Sequence, residues 1–132
     1  MTTEAASEPW WLQNAEKTLD GLLLLAPGWD SYGATKIDHD VVESARQLLR
    51  AIADRDTPMP SVVPTSSGGV QLEWHASGID LEIALQTDKP PHVFFEDIRT
   101  HQQLEFEMSA AEADRVKEAV RRLSRGDRAD EC

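Results

Sequence analysis

The stretch Gln71-Leu72-Glu73-Trp74-His75-Ala76-Ser77-Gly78-Ile79-Asp80-Leu81-Glu82-Ile83 decides the fold. Apolar and polar residues alternate on both sides of Ser77-Gly78, the pattern of two half-buried strands joined by a tight turn. A two-residue loop pairs Ala76 with Ile79, and its length fixes the rest of the register. His75 then falls against Asp80 and Glu73 against Glu82. Strand alternation puts Val70, Leu72, Trp74, Ile79, Leu81, Ile83 and Leu85 on one face. Gln71, Glu73, His75, Asp80, Glu82 and Ala84 take the other. The first face has to be covered by other elements, and the second gathers carboxylates.

Working outward, "SVVPT" (61–65) reads as a short edge strand, because Pro64 cannot donate to a central ladder. "SSGG" then turns the chain into Val70, with Gly68-Gly69 as a hairpin device; no helix start follows to make it a phosphate cradle. "TDKPP" (87–91) leads into a strand over His92–Ile98, and a polar loop leads to Leu104–Met108. Five strands in succession with short turns make an antiparallel meander.

Two amphipathic helices precede the strands. Ser7 is the expected cap of the first, whose stripe is Trp11, Ala15, Leu19, Leu22, Leu23 and Ala26, stopped by Pro27-Gly28. Asp38 caps the second, with Ile37 and Val42 as a hydrophobic staple and Val42, Ala45, Leu48, Leu49 and Ile52 inward. After the strands, Ser109 and Glu112 form a capping-box pattern opening a helix with Ala113, Val116, Val120 and Leu123 inward. Helices bury their stripes most economically on one sheet face. The expectation is one α+β domain over residues 1–132, two-layered, in the order ααβββββα, with 1–7 and 126–132 flexible.

The chain has 132 residues, 40% hydrophobic and 28% charged, enough for one ordinary core. Its net charge is −11, and the acidity belongs to the main body: residues 1–108 hold 18 acidic and 7 basic side chains, residues 109–132 six of each. Such a field repels nucleic-acid phosphates and anionic membrane and attracts basic proteins or cations. Direct nucleic-acid and membrane roles are disfavoured, and Leu22–Leu25 is too short to span a bilayer. The single cysteine, Cys132, permits no internal disulfide, and no secretory pattern is present. A cytoplasmic location is expected.

Carrying the register through a loop at 87–91 sets Ile83 against Phe95 inside and Glu82 against Glu96 outside. Keeping Phe95 and Phe106 together inside brings Glu96 near Glu105. Four glutamates, Glu73, Glu82, Glu96 and Glu105, would then stand in line about 4.8 Å apart. Like charges directly opposite cost about 0.2–1 kcal/mol per pair. One reading is a solvated face with splayed side chains. A second is a docking surface for a basic protein, with Phe94 and Ile98 as apolar anchors. A third is a metal site, Glu73-x-His75 with Asp80-x-Glu82 offering three carboxylates and an imidazole to Mn²⁺, Mg²⁺ or Zn²⁺. A homodimer burying the face would set acid against acid.

Elsewhere, "GWDSYGA" (28–34) is a glycine-bounded turn whose aromatics, Trp29 and Tyr32, are expected to pin it to the core; the sharper reading is a ligand-stacking pair with Asp30 as an acid. Arg115, Arg121, Arg122 and Arg125 read as the solvated side and negative end of the last helix. His39, His92 and His101 fit no metal motif and read as surface residues. No nucleophile, base and orienter occur together, so catalysis has no positive support.

Through "GWDSYGA", "SVVPTSSGGVQLEWH" and "GIDLEI" the chain resembles an uncharacterised family of small acidic bacterial and phage proteins. They share a Gly-Trp-Asp-x-Tyr-Gly-Ala turn and a Val-Val-Pro-Thr-x-x-Gly-Gly-x-Gln-Leu-Glu-Trp-His hairpin. The likeness spans residues 20–110 and places Glu73, Trp74 and His75 inside the shared motif. It implies a stand-alone domain from a mobile or defence-associated locus and transfers no activity. The residues therefore point to a non-catalytic protein docking a basic partner, in the manner of an antitoxin, an inhibitor or a nucleic-acid mimic. Glu73, Glu82, Glu96 and Glu105 supply the field, with Phe94 and Ile98 as anchors. The alternative is a metal-dependent hydrolase or metal-binding module built on Glu73, His75, Asp80 and Glu82.

Overall fold

The computed structural model describes residues 8–109 and 112–131, with side chains as far as Ser124. Helices α1 (Leu12–Leu22) and α2 (His39–Ile52) come first. Strands β1 (Ser61–Pro64), β2 (Val70–Ala76), β3 (Ile79–Leu85), β4 (His92–Asp97) and β5 (Gln102–Glu107) follow, and helix α3 (Ala113–Glu131) ends the chain. The strands pair antiparallel in sequence order, β1-β2-β3-β4-β5, and the helices lie on one face, the two-layer α+β arrangement the alternation implies.

The β2–β3 turn has both central residues left-handed, Ser77 at φ 60° and Gly78 at φ 76°. That geometry matches the twist of the flanking strands and holds the two-residue register. Ala76 faces Ile79, His75 faces Asp80 and Glu73 faces Glu82, as the sequence predicts. The tip is also tied to its surroundings: Ser77 Oγ donates to Leu123 O (2.9 Å) on α3, and Gly78 O accepts from Ile98 N (2.8 Å) beyond β4.

The core forms between this sheet face and the helices. Trp11, Trp74, Leu19, Ile37, Leu49, Leu72, Leu81, Phe95 and Leu123 are fully buried within it. A buried indole needs a partner for its N–H. Trp11 Nε1 donates to Thr57 O (2.8 Å) and Trp74 Nε1 to Pro58 O (2.7 Å), so neighbouring carbonyls of the connection after α2 serve both rings.

Helix α2 opens as expected, with Asp38 accepting from Asp40 N (2.8 Å) and Ile37 buried beside Val42. Helix α1 differs. Ser7 lies outside the described residues, and the helix begins at Leu12 after Trp11, with Ala15 N donating to Trp11 O (3.0 Å). It ends at Leu22, and Ala26, expected inward, is exposed. The looseness expected at 1–7 also falls outside the described residues, whereas α3, expected to fray after Arg125, is helical to Glu131.

Two registers differ from expectation, each by two residues. Ile83 faces Val93 rather than Phe95, and Glu82 faces Phe94 rather than Glu96. Pro90 and Pro91 have no N–H to give a ladder. The turn is instead made at Gln86–Lys89, with Asp88 left-handed at φ 61°, one position nearer the N-terminus than the centre of 87–91. Between β4 and β5, Phe95 faces Leu104 and Glu96 faces Gln103, so Glu96 is not beside Glu105. There Asp97 ends the strand early: its Oδ1 accepts from Arg99 N (3.0 Å) and Thr100 N (3.4 Å), placing Ile98 in the turn. A shift of two leaves every side chain on its expected face.

Asp97 points inward and is only 3% exposed. Burial pushes its carboxyl upward, but the backbone N–H groups of Arg99 and Thr100, with Arg122 and Arg99 nearby, hold it below the usual 3.8. Arg122 Nη2 reaches it at 2.5 Å and the guanidinium lies 5.0 Å from the Phe95 ring; Arg115 sits 4.2 Å over Phe106. The reading of Arg122 as part of a solvated stripe is thus corrected, since it folds down between Asp97 and Phe95 and fastens α3 to the sheet; Arg115 lies over Phe106 but stays exposed. Arg121 stays outward, 3.8 Å from Glu118, and the side chain of Arg125 lies outside the described residues.

The "SSGG" loop lies against the chain entering α2, with Thr35 N donating to Ser66 O (2.8 Å) and Asp38 N to Gly68 O (3.0 Å). A Cβ on Gly69 would stand 2.3 Å from Leu85 O, whereas one on Gly21, inside α1, would meet nothing within 4 Å. Gly69→Ala should therefore lower unfolding stability by about 2–3 kcal/mol in urea melts. Gly21→Ala should leave it unchanged or raise it by up to about 1 kcal/mol.

Candidate functional site

The helix-free face is ruled by three cross-strand rows. The middle row runs Ser61, Glu73, Glu82, Phe94, Glu105 from β1 to β5. One neighbour runs His75, Asp80, Glu96, Gln103, and the other Val63, Gln71, Ala84, His92, Glu107. The face carries the carboxylates of Glu73, Asp80, Glu82, Glu96, Glu105 and Glu107, and none of its side chains is buried. Not one Lys or Arg occurs in any of the five strands. The expected line of four glutamates is interrupted: Phe94 stands between Glu82 and Glu105, and Glu96 is one row away. Ile98, expected within the face, is in the turn at its margin and 53% exposed.

Donors relieve the repulsion. Gln71 Nε2 donates to Glu73 Oε2 (2.7 Å) and to Glu82 Oε1 (3.2 Å), bridging the opposed pair. His75 Nδ1 lies 2.8 Å from Asp80 Oδ1, and its Nε2 lies 3.4 Å from Glu73 Oε1. Asp80, His75, Glu73, Gln71 and Glu82 thus form one continuous chain of polar contacts. On the far side His92 Nε2 meets Glu105 Oε2 (2.6 Å), and Gln103 Nε2 donates to Glu96 Oε2 (3.2 Å). Hydrogen bonds to charged groups contribute about 1.5–3 kcal/mol when shielded and less when exposed. That is at least the size of the about 0.2–1 kcal/mol repulsion of each opposed pair. The face can hold its charge without distorting the sheet.

A neutral imidazole donates through one nitrogen only. Contacts with carboxylates at both nitrogens favour the imidazolium, so the hydrogen bond to Asp80, then that to Glu73, raises the His75 pKa above 6.5, against a smaller opposing effect of burial. Sequence reasoning placed His75 against Asp80 but gave Gln71, His92 and Gln103 no part. Side-chain parity alone would have aligned all three with carboxylates.

The metal reading draws no support from this arrangement. Both nitrogens of His75 already face carboxylates, and among the described residues no group of three His, Cys, Asp or Glu is disposed to hold an ion. The "GWDSYGA" turn is organised by its aspartate: Asp30 Oδ1 accepts from Tyr32 N (2.8 Å) and Ala34 N (3.1 Å), with Gly28, Ser31 and Gly33 left-handed. Trp29 packs against the core as expected, but Tyr32 is 91% exposed and pins nothing, which corrects the expectation for Tyr32. Asp30 caps the turn's own backbone.

Among the described residues no helix is long and apolar enough to cross a membrane. No family model matches the chain, and neither the search of curated proteins nor that of solved structures found a match.

His75 gives a direct pH test. Its folded-state pKa is raised, so the stabilisation it adds is fully present below about 6.5, the unfolded value, and fades as pH rises through the folded value. An NMR titration should place the His75 midpoint above 6.5, and Asp80→Asn should bring it down. A midpoint at or below 6.5 in the unaltered protein would refute the two-carboxylate geometry.

Proposed function

We propose that this protein is a non-catalytic binding protein that docks a basic protein partner on its helix-free sheet face. The observation that carries the reading is the sorting of charge. Six carboxylates share an uncovered face whose strands hold no lysine or arginine. Sheets commonly place lysines on exposed edge strands as a guard against edge-to-edge pairing. Here β1 and β5 have none, so no cation within the strands offsets the carboxylates carried by β2 to β5.

Phe94 supports the reading further. It is an aromatic residue among carboxylates, the mixture of apolar centre and polar surround found at protein interfaces. Glu73, Glu82, Glu96 and Glu105 supply the field that steers a basic surface into contact, and Ile98 adds an apolar contact at the margin. A nucleic-acid enzyme or toxin, whose own site is built to receive phosphates, has the matching charge. The resemblance to small acidic bacterial and phage proteins from mobile or defence loci agrees with such a partner and with an antitoxin- or inhibitor-like role in the cytoplasm.

Double charge reversal, Glu82→Lys with Glu96→Lys, should weaken binding of the native co-purifying partner by about tenfold or more. A reversal at Asp40 on α2 should leave it within about twofold, as expected for a charge outside the interface. Affinity should also fall steeply with added salt in the unaltered protein. Partner retention as tight in the double reversal as in the unaltered protein ends the proposal.

A further inference from the structure

The face is not uniformly charged, because one position in it is nearly empty of side chain. Ala84 sits between Gln71 and His92 in its row, beside the row in which Phe94 separates Glu82 from Glu105. The short Ala84 side chain leaves an open dish of about 420 Å³, lined by Gln71, Glu82, Ala84, His92, Phe94 and Glu105. Its floor is a methyl group, one wall is an aromatic ring, and a carboxylate stands on each side of that ring.

Resting on the docking-face reading above, we propose that this dish is the seat of one arginine side chain of the partner. Its guanidinium lies on Phe94 between Glu82 and Glu105. The flank strands of Phe94 are each about 4.8 Å away, so the two glutamates rise from backbones about 10 Å apart with the ring midway. A planar guanidinium fits that gap, stacking on the ring while its N–H groups point outward in its plane toward both carboxylates. The existing contacts leave the required acceptors: Gln71 engages Oε1 of Glu82 and His92 engages Oε2 of Glu105, so Oε2 and Oε1 respectively remain for the ligand. The methyl floor at Ala84 gives room for the aliphatic stem. A lysine ammonium is a compact, strongly hydrated point charge that gains less from a flat ring and cannot span two carboxylates in one plane.

Penta-arginine and penta-lysine are suitable probes, since they carry equal charge. Calorimetric titration of the full chain at low ionic strength should show penta-arginine binding about tenfold more tightly than penta-lysine. Ala84→Leu fills the floor and Phe94→Leu removes the ring while keeping its apolar bulk, and neither alters the charge. Each should reduce the preference to about twofold or less, with penta-lysine affinity nearly unchanged. Equal affinity of the unaltered protein for the two peptides, or a preference that survives in both variants, overturns the arginine seat. The charged face then still stands if the Glu82→Lys, Glu96→Lys protein loses both peptides. If the unaltered protein binds neither peptide, the seat and the docking face fall together.

Discussion

Two consecutive left-handed residues, Ser77 and Gly78, hold the rest of the molecule in place. A one-residue slip at this tip would exchange the faces of β2 relative to β3 and drive Glu73 and His75 into the core. The tip resists slipping because it is fastened from three directions: by its own hairpin, by Ile98 N on Gly78 O, and by the Ser77 hydroxyl on Leu123 O of α3. The residue pair that sets which side chains face outward also anchors the last helix to the opposite layer. Face assignment and layer packing are therefore one constraint, and the anionic surface is a consequence of it.

The inner face is closed by equally specific means. Trp11 comes from the residue that leads into α1 and Trp74 from β2, yet their indole N–H groups find carbonyls one residue apart, Thr57 O and Pro58 O. Leaving a buried donor unpaired costs about 1–3 kcal/mol, a large share of a typical domain's net stability of about 5–15 kcal/mol. The connection from α2 to β1 must consequently run where both rings can reach it. Proline at 58 and 60 suits such a segment, since it has no N–H needing a partner of its own. On the other side of the sheet nothing comparable is required, and the outward residues are free to carry charge.

Much of this was legible in the sequence because it depends on parity and short-range chemistry. The hairpin, the element order, the Asp38 cap with its Ile37 staple, and the Pro64 edge strand all follow from residues within a few positions of one another. The row-by-row placement of Glu96 was not legible, because it depends on where two turns close. Pro90-Pro91 displace the first turn toward Asp88, and the Asp97 carboxylate claims the backbone N–H groups of the second. Asp97 itself carried a readable signal, an acid at an inward position between Phe95 and the turn, whose buried charge demands a partner. Its partner, Arg122, is 25 residues away on a helix, a distance no local pattern bridges. Tyr32 misleads for the opposite reason: an aromatic in a glycine-rich turn usually packs, and here the turn is held without it, by Asp30, by Gly28 N on Ala34 O and by Trp29 against the core.

The same long-range pairing explains why the charge is sorted so completely. Arg115 and Arg122 lean over Phe106 and Phe95, and Arg46 and Arg50 pair with Asp20 and Glu16 across α1 and α2. These cations are fixed on the helical side of the sheet. Had they been free on long side chains near a strand edge, they could have folded over the rim and neutralised the outer carboxylates at little cost. Instead, among the described residues, the groups seen hydrogen-bonded to Glu73, Asp80, Glu82, Glu96 and Glu105 on this face are amides and imidazoles, which satisfy hydrogen bonds while leaving most of the charge. Imidazole is the exception when protonated, and His75 is placed where its proton offsets two carboxylates at once. The negative field of this face is accordingly strongest above the His75 pKa and weakens as pH falls through it, which makes the face graded with pH by a residue that belongs to it.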